Sequence, residues 1–326
     1  MPASNHIKNV AIVGAGGNSG RPITDELLGS GKFRVTAITR INSTSKLPQG
    51  VTAVEVDYDN HASLVHALQS QDALVITLSG YALDQQSKLI RAAAEAGVAW
   101  VLPNGWGPDI ADESLVKDVF PFQKIANGIQ GCKAEFAKHG DKSAFISVCT
   151  GRWYEYSLTT SMAFGIDLKE KKANFYDDGE TKISVSTFAQ VGRGVAALLS
   201  LPIKPEGGDT ERCLEKFRNG MVYINSFTVS QRDIFESILR VTGDEESHWT
   251  TESDSSKEIY RNGMEGMKNG NMKAVMRGFS ARVFYLDGSG NFESRRGTLN
   301  ATLNLPKEDL DQATHAALKA VGQESK

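Results

Sequence analysis

Short apolar runs recur along the first half of the chain at the intervals a βα unit would occupy. Residues 10–13 (Val-Ala-Ile-Val) are continuously apolar, 34–39 and 51–56 are rich in β-branched residues, 73–78 and 98–102 are almost unbroken, and 144–148 closes the series. Unbroken runs of about four to eight residues are what strands buried on both faces of a parallel sheet require. Amphipathic stretches lie between them, over residues 22–29, 64–71, 84–96 with Gly97 as a stop, and 122–136. Strand and helix therefore alternate, which predicts an α/β protein with a Rossmann-like, doubly wound parallel sheet. Beyond residue 156 the rhythm loosens into a strand and turn at 173–179, a helix at 188–199 and a strand at 222–226. A further helix is expected to open with Thr228 and Gln231 as a capping box and to stop at Gly243. Residues 245–285 read as helical, with Met264, Met267, Met272 and Met276 either lining an adaptable apolar cavity or, the preferred reading, packed in the core. The expected division is a nucleotide-binding domain over residues 1–155, recruiting the strand near 220–227, and a smaller mixed α/β substrate-binding domain over 156–326.

The first strand breaks into Gly14, Ala15, Gly16, Gly17, Asn18, Ser19 and Gly20 before the first helix begins. Glycines at 14, 17 and 20 allow a sharp turn and leave room for a pyrophosphate, and the helix that follows offers free N–H groups and a positive dipole end. In such folds the residue just after the second strand selects the nucleotide, an acid binding the ribose hydroxyls of NAD and an arginine accepting a 2′-phosphate. That position holds Arg40, with Lys46 near it and no acid before Glu55, so NADP(H) is the expected cofactor. Asp57 and Tyr58 are placed at the adenine end. Ser79 and Gly80, then Pro103 and Asn104, follow the fourth and fifth strands and line the groove. Gly105, Trp106, Trp153, Tyr154 and Glu155 follow strand ends with aromatic and polar side chains, and are expected to floor a substrate pocket.

Composition narrows the partners. With 326 residues, 40% hydrophobic and 23% charged, the chain can bury an ordinary core, and a net charge of −3 without any basic run gives nucleic acid no footing. Cys132, Cys149 and Cys213 are too few and too widely spaced for a disulfide framework or a metal pair, and the six histidines are scattered, so no metal site is expected. No signal core or membrane-length apolar stretch is present. The expectation is a cytoplasmic monomer or homodimer with a small-molecule substrate. None of the eight tyrosines has a lysine four residues on, which excludes the Tyr-x-x-x-Lys chemistry of ordinary short-chain dehydrogenases.

The loop Gly14-x-x-Gly17-x-x-Gly20, Arg40, the segment 101–107 (Val-Leu-Pro-Asn-Gly-Trp-Gly) and Gly151-x-Trp-Tyr-Glu155 together resemble the NmrA-like, isoflavone-reductase-like atypical short-chain dehydrogenases, most nearly the CipA-type oxidoreductases of fungi. The resemblance extends through segments 178–183, 226–231 and 282–300. It implies NADPH-dependent reduction of a conjugated or aromatic natural product, with a lysine near the nicotinamide on the helix before the sixth strand. Counting back from Gly140, that slot falls near Ile129 or Gln130, between Lys124 and Lys133. Either the register is shifted or the lysine is absent, and Lys124, Lys133 and Tyr154 are the candidate proton donors. Two alternatives stay open: a non-redox cyclase, isomerase or condensing enzyme on the same scaffold, and a non-catalytic NADP(H)-sensing regulator.

Overall fold

The computed structural model describes residues 4–324. The first apolar run becomes β1 (Asn9–Val13), whose Val10 and Ile12 join the core on one side of the sheet while Ala11 and Val13 join the core on the other. α1 (Gly20–Gly29) buries Ile23, Thr24 and Leu27 and leads to β2 (Arg34–Arg40) and β3 (Thr52–Val56). α2 (His61–Leu68) is opened by Asn60, whose side chain accepts the Ser63 N–H, and β4 (Ala73–Ile76) follows fully buried. A 3₁₀ segment of six residues, Gly80–Gln85, precedes α3 (Gln86–Ala96), which ends on Gly97 at φ +77°. β5 (Trp100–Leu102), α4 (Glu113–Asp118), α5 (Phe120–Lys138) and β6 (Ala144–Cys149) complete this half.

The second half begins with β7 (Arg152–Trp153) and α6 (Tyr154–Thr159), then β8 (Ile166–Asp167), β9 (Lys172–Tyr176) and β10 (Ile183–Ser186). α7 (Phe188–Leu199) occupies the expected span, and β11 (Gly220–Tyr223) and β12 (Phe227–Val229) follow. α8 (Gln231–Thr242) stops at Gly243 as expected, but its capping box is Ser230 with Asp233, not Thr228 with Gln231. Thr228 belongs to β12, and the Gln231 amide is spent on the backbone, donating to the carbonyls of Phe164 and Asn174 and accepting the Tyr176 N–H at 2.6 Å. The segment after it is not continuously helical. β13 (Thr250–Asp254), entirely exposed, pairs in parallel with β9 before α9 (Ser256–Lys268), α10 (Met272–Val283), α11 (Phe292–Arg296) and α12 (Leu310–Glu324). Met267, Met272 and Met276 are exposed, which corrects their assignment to the core.

The main sheet runs β11-β6-β5-β4-β1-β2-β3, and every adjacent pair is parallel. Strand order reverses between β1 and β4, the switch point at which doubly wound sheets open a crevice. α1 and α7 cover one face, with Val191, Val195, Leu198 and Leu199 of α7 fully buried; α2, α3 and α5 cover the other. The main sheet layer therefore draws on both sides of residue 155. Two three-stranded sheets, β12-β10-β7 and β13-β9-β8, pack with α6, α8, α10 and α12 around a separate core containing Tyr154, Phe164, Phe235 and Phe279. Among the described residues no helix is long and apolar enough to cross a membrane.

Candidate cofactor cleft and substrate cavity

The loop after β1 closes against the end of β4 so tightly that side chains are excluded. Gly14 has φ +83°, and a Cβ there would lie 2.2 Å from the Thr77 carbonyl oxygen. At Gly20 a Cβ would sit 2.0 Å from the Gly14 oxygen and 2.6 Å from Thr77 Oγ1, which donates to the Val13 carbonyl at 2.7 Å. These two glycines seat α1 on the sheet; Gly17 makes the turn, its N–H donating to the Gly14 oxygen. Gly16, Gly17 and Asn18 stay exposed at the positive end of α1, where Ser19 is the N-cap and uses no side-chain hydrogen bond. The returning strand connection lies over Gly16, with the Lys46 carbonyl 2.7 Å from where a Cβ would be.

Arg40 ends β2 exposed. Burial pushes the half-buried Tyr58 phenol up, and the Arg40 charge pulls it partly back, so the two share one corner of the sheet. Asp57, exposed beside them, accepts the Asp59 N–H at 2.9 Å. A Cβ-free loop at a helix N-terminus beside a solvent-facing guanidinium has the donors and the positive potential that a 2′-phosphorylated dinucleotide needs. The residues fit that group.

At the other end of the groove Asn104 imitates a strand partner, donating to the Leu78 carbonyl at 3.1 Å and accepting the Leu78 N–H at 3.0 Å, while its own N–H is held by Gln86. This ties the ends of β4 and β5 together beside exposed Ser79 and Gly80. Pro103 is buried with Asn104, and Gly105 packs on Ser147 and Ile129. Trp106 donates its indole N–H to the Ile76 carbonyl at 2.7 Å and turns a ring face to a mostly apolar cavity of about 240 Å³. Pro108 and Asp109 from beyond β5, and Arg152 and Trp153 from beyond β6, form the sheet-side wall. Met276 and Phe279 of α10 and Phe292 of α11 close it from the second lobe.

Two charged side chains face this cavity. Asp109 is almost fully buried and already satisfied: it accepts the Tyr223 hydroxyl at 3.0 Å and Arg296 Nε at 3.1 Å. Burial, reinforced by Asp109, pushes the Tyr223 phenol up, so it stays a donor. Arg152 differs. Its Nη2 donates to Ser280 Oγ at 3.2 Å, its guanidinium lies 5.7 Å from the Phe164 ring centroid, and its buried Nε has no hydrogen-bond partner.

Trp106 and Trp153 thus stand together in the cavity, while other expected residues do not reach it. Tyr154 is fully buried in the second core, 2.5 Å from Thr314 Oγ1, with its phenol pushed up to about 12 by that burial. Glu155 points away as well, its carboxylate accepting the Phe188 N–H at the start of α7. Both expectations are corrected for one reason: the chain enters a helix at Tyr154, so consecutive side chains diverge. Lys124 and Lys133 lie exposed on α5, Lys124 beside a surface groove between α3 and α5, and neither lines the cavity. The intervening slot is taken by buried Ile129. Asp109, Arg152 and Phe292 carried no site assignment in the sequence, and Met276 was read only among the late methionines; Asp109 and Arg152 at least follow strand ends, whereas Met276 and Phe292 arrive through tertiary packing.

Loop, sheet order and cavity define an α/β protein of doubly wound type. Residues 6–124 match the model of the NmrA-like family. Over 316 residues, 95% of this chain and 98% of the relative, it is 28% identical to Oxidoreductase aprR of Aspergillus flavus. The fold is shared with the pinoresinol-lariciresinol and phenylcoumaran benzylic ether reductases (18% identity, 95% of this chain and 99% of that chain, TM-score 0.74). It is also shared with an NADPH-dependent quinone oxidoreductase from Escherichia coli complexed with NADPH (20% identity, 95% and 99%, TM-score 0.65). Residues 6–124 are thus similar to the NmrA-like family, and the whole chain shares the fold of the isoflavone-reductase-like structures.

Proposed function

We propose that the chain is an NADPH-dependent reductase acting on a conjugated or aromatic small molecule held between its two lobes. The observation that carries this reading is that a Cβ-free loop with a basic corner and an apolar cavity open on the same C-terminal edge of one parallel sheet, where such folds bind their ligands. The oxidoreductase name of the Aspergillus flavus relative and the NADPH held by the Escherichia coli neighbour support it. Gly14, Gly16, Gly17, Asn18, Ser19 and Gly20 would receive the pyrophosphate, Arg40 and Lys46 the 2′-phosphate, and the segment from Pro103 to Trp106 the nicotinamide. Residues 1–155 with β11 and α7 carry the cofactor, and the elements after them complete the substrate wall.

Bound NADPH supplies the hydride. The chain's own part is to hold a flat substrate among Trp106, Trp153, Phe279 and Phe292 and to exclude water around it. Reduction also consumes a proton. With Lys124 and Lys133 outside the cavity and Tyr154 engaged elsewhere, that proton comes from solvent at the cavity mouth. A wall without lysine gives a second reading its footing, a cyclisation, isomerisation or condensation on the same scaffold.

The test is a fluorescence titration of the full chain with NADPH, followed by loss of NADPH absorbance in the presence of enones and quinones. Saturable binding with turnover is expected. Saturable binding without turnover on any acceptor moves the assignment to the second reading, and absence of binding removes both.

A further inference from the structure

The arginines of this region differ in how their charge is balanced. Arg282, 1% exposed, pairs with Asp118 at 2.5 Å and Asp287 at 3.0 Å, and donates to Ser289 Oγ at 2.8 Å. Arg296 pairs with Asp109, and Arg295 with Asp112. Arg152 has no carboxylate within ion-pair distance among the described residues. Its protein partners are the Ser280 hydroxyl and the Phe164 ring, over which its guanidinium lies 5.7 Å from the centroid.

Desolvating a guanidinium costs several kcal/mol, and a single neutral hydrogen bond returns about 1 kcal/mol. Burial accordingly lowers the Arg152 pKa, and the groups that oppose this, Tyr176 and Tyr156, are phenols that carry no charge near neutrality. Arg152 is half-buried as a residue, and within the chain only the Ser280 hydroxyl and the Phe164 ring, both uncharged, offset the cost. The cavity beside Arg152 is where an opposite charge can enter, and its apolar walls would strengthen an ion pair formed there.

We propose that the cavity selects substrates bearing a carboxylate, which the guanidinium of Arg152 receives while the conjugated part of the molecule lies between Trp106, Trp153 and Phe292. This rests on the reading of the cavity as the substrate site. A planar guanidinium fork matches a carboxylate's two oxygens, a match a lysine or a neutral donor reproduces only in part. Because Asp109 is neutralised by Arg296, it does not repel the incoming anion.

The probes are trans-cinnamate and its methyl ester, alike in shape and conjugation and different in charge, titrated calorimetrically into the full chain with and without NADP⁺. Cinnamate is expected to bind about 10- to 100-fold more tightly than the ester, as a charge-assisted pair in a desolvated site implies. Arg152→Gln should remove that preference while leaving ester affinity, NADPH affinity and unfolding temperature near those of the unaltered chain. Arg152→Lys should restore part of it. Equal affinities, a tighter ester, failure of both probes to bind, or a preference that survives in Arg152→Gln overturns the proposal. A folding defect in Arg152→Gln leaves the comparison in the unaltered chain decisive. Loss of NADPH binding alongside an intact preference for cinnamate would instead sink the cofactor reading alone.

Discussion

Arg40 closes β2 in solvent, near enough to Tyr58 for its charge to offset part of the burial that pushes the phenol up. On the proposed reading its value lies in the nucleotide's 2′-phosphate, a charged acceptor that a ribose hydroxyl is not. A charge-assisted hydrogen bond contributes about 1.5–3 kcal/mol, so Arg40→Ser is expected to weaken NADPH binding about 10- to 100-fold. NADH binding should change by no more than about twofold, because the lost group makes no contact that the unphosphorylated nucleotide needs. Paired fluorescence titrations check this, and an equal loss for both nucleotides would show that Arg40 acts on the fold of the corner. The place of Arg40 at the end of β2 was legible in the sequence, because it depends on position along one strand. Arg152 lies inside the quoted Gly151-x-Trp-Tyr-Glu155 motif, yet its significance is the absence of a carboxylate around it, and that is a property of packing.

The C-terminal element α12 is held by one chain of polar contacts. The Tyr154 hydroxyl of α6 meets Thr314, which lies 2.7 Å from Ser237 of α8; Ser237 donates to Asp311, and Asp311 accepts two hydrogen bonds from Arg240, each at 2.9 Å. Hydrogen bonding from Arg240 first, and from Ser237 next, holds the Asp311 pKa down at about 2, below its ordinary 3.8. A depressed carboxylate adds stability above its unfolded pKa and loses it as the pH falls through the folded one. Asp311→Asn should therefore lower the unfolding temperature at neutral pH, and the gap should narrow as the pH falls from 3.8 toward 2. With the side chain 40% exposed, solvent screening limits the effect to about 0.5–1 kcal/mol. A gap that stays constant across this window would mean that the carboxylate's charge contributes nothing. Elements like this clasp were poorly legible in the sequence. α8 announced itself through Ile234, Phe235 and Ile238, whereas β13 (Thr-Thr-Glu-Ser-Asp) has no apolar residue and exists through its backbone ladder with β9 and a bond from Asn174 to Asp254.

At the scale of the whole molecule, the parallel sheet was legible because β1, β4, β5 and β6 are runs buried on both faces and β2 buries Val35, Ala37 and Ile38, a pattern local in sequence, while the edge strand β3 buries only Val56. What joins the halves is not local. β11 lies beside β6 in register from Gly220↔Ile146 to Tyr223↔Cys149, and α7 approaches α1 so closely that a Cβ on Gly192 would stand 2.5 Å from the Pro22 carbonyl oxygen. A fragment ending at residue 155 keeps the loop, Arg40 and six strands, but loses the seventh strand and one of the two helices over β1. Val191, Val195, Leu198 and Leu199 are each no more than 1% exposed, and burying such side chains contributes about 1.5–3 kcal/mol apiece, roughly 6–12 kcal/mol together. That is as large as the whole net stability of an ordinary domain, about 5–15 kcal/mol. Residues 1–155 alone should therefore show no cooperative thermal transition and no saturable NADPH binding, although every residue proposed to touch the nucleotide phosphates is present. Calorimetry and NADPH titration of the purified fragment beside the full chain decide the matter. A cooperative transition with affinity within a few-fold of the full chain would make the N-terminal half a domain in its own right, with β11 and α7 as additions to a sheet already stable without them.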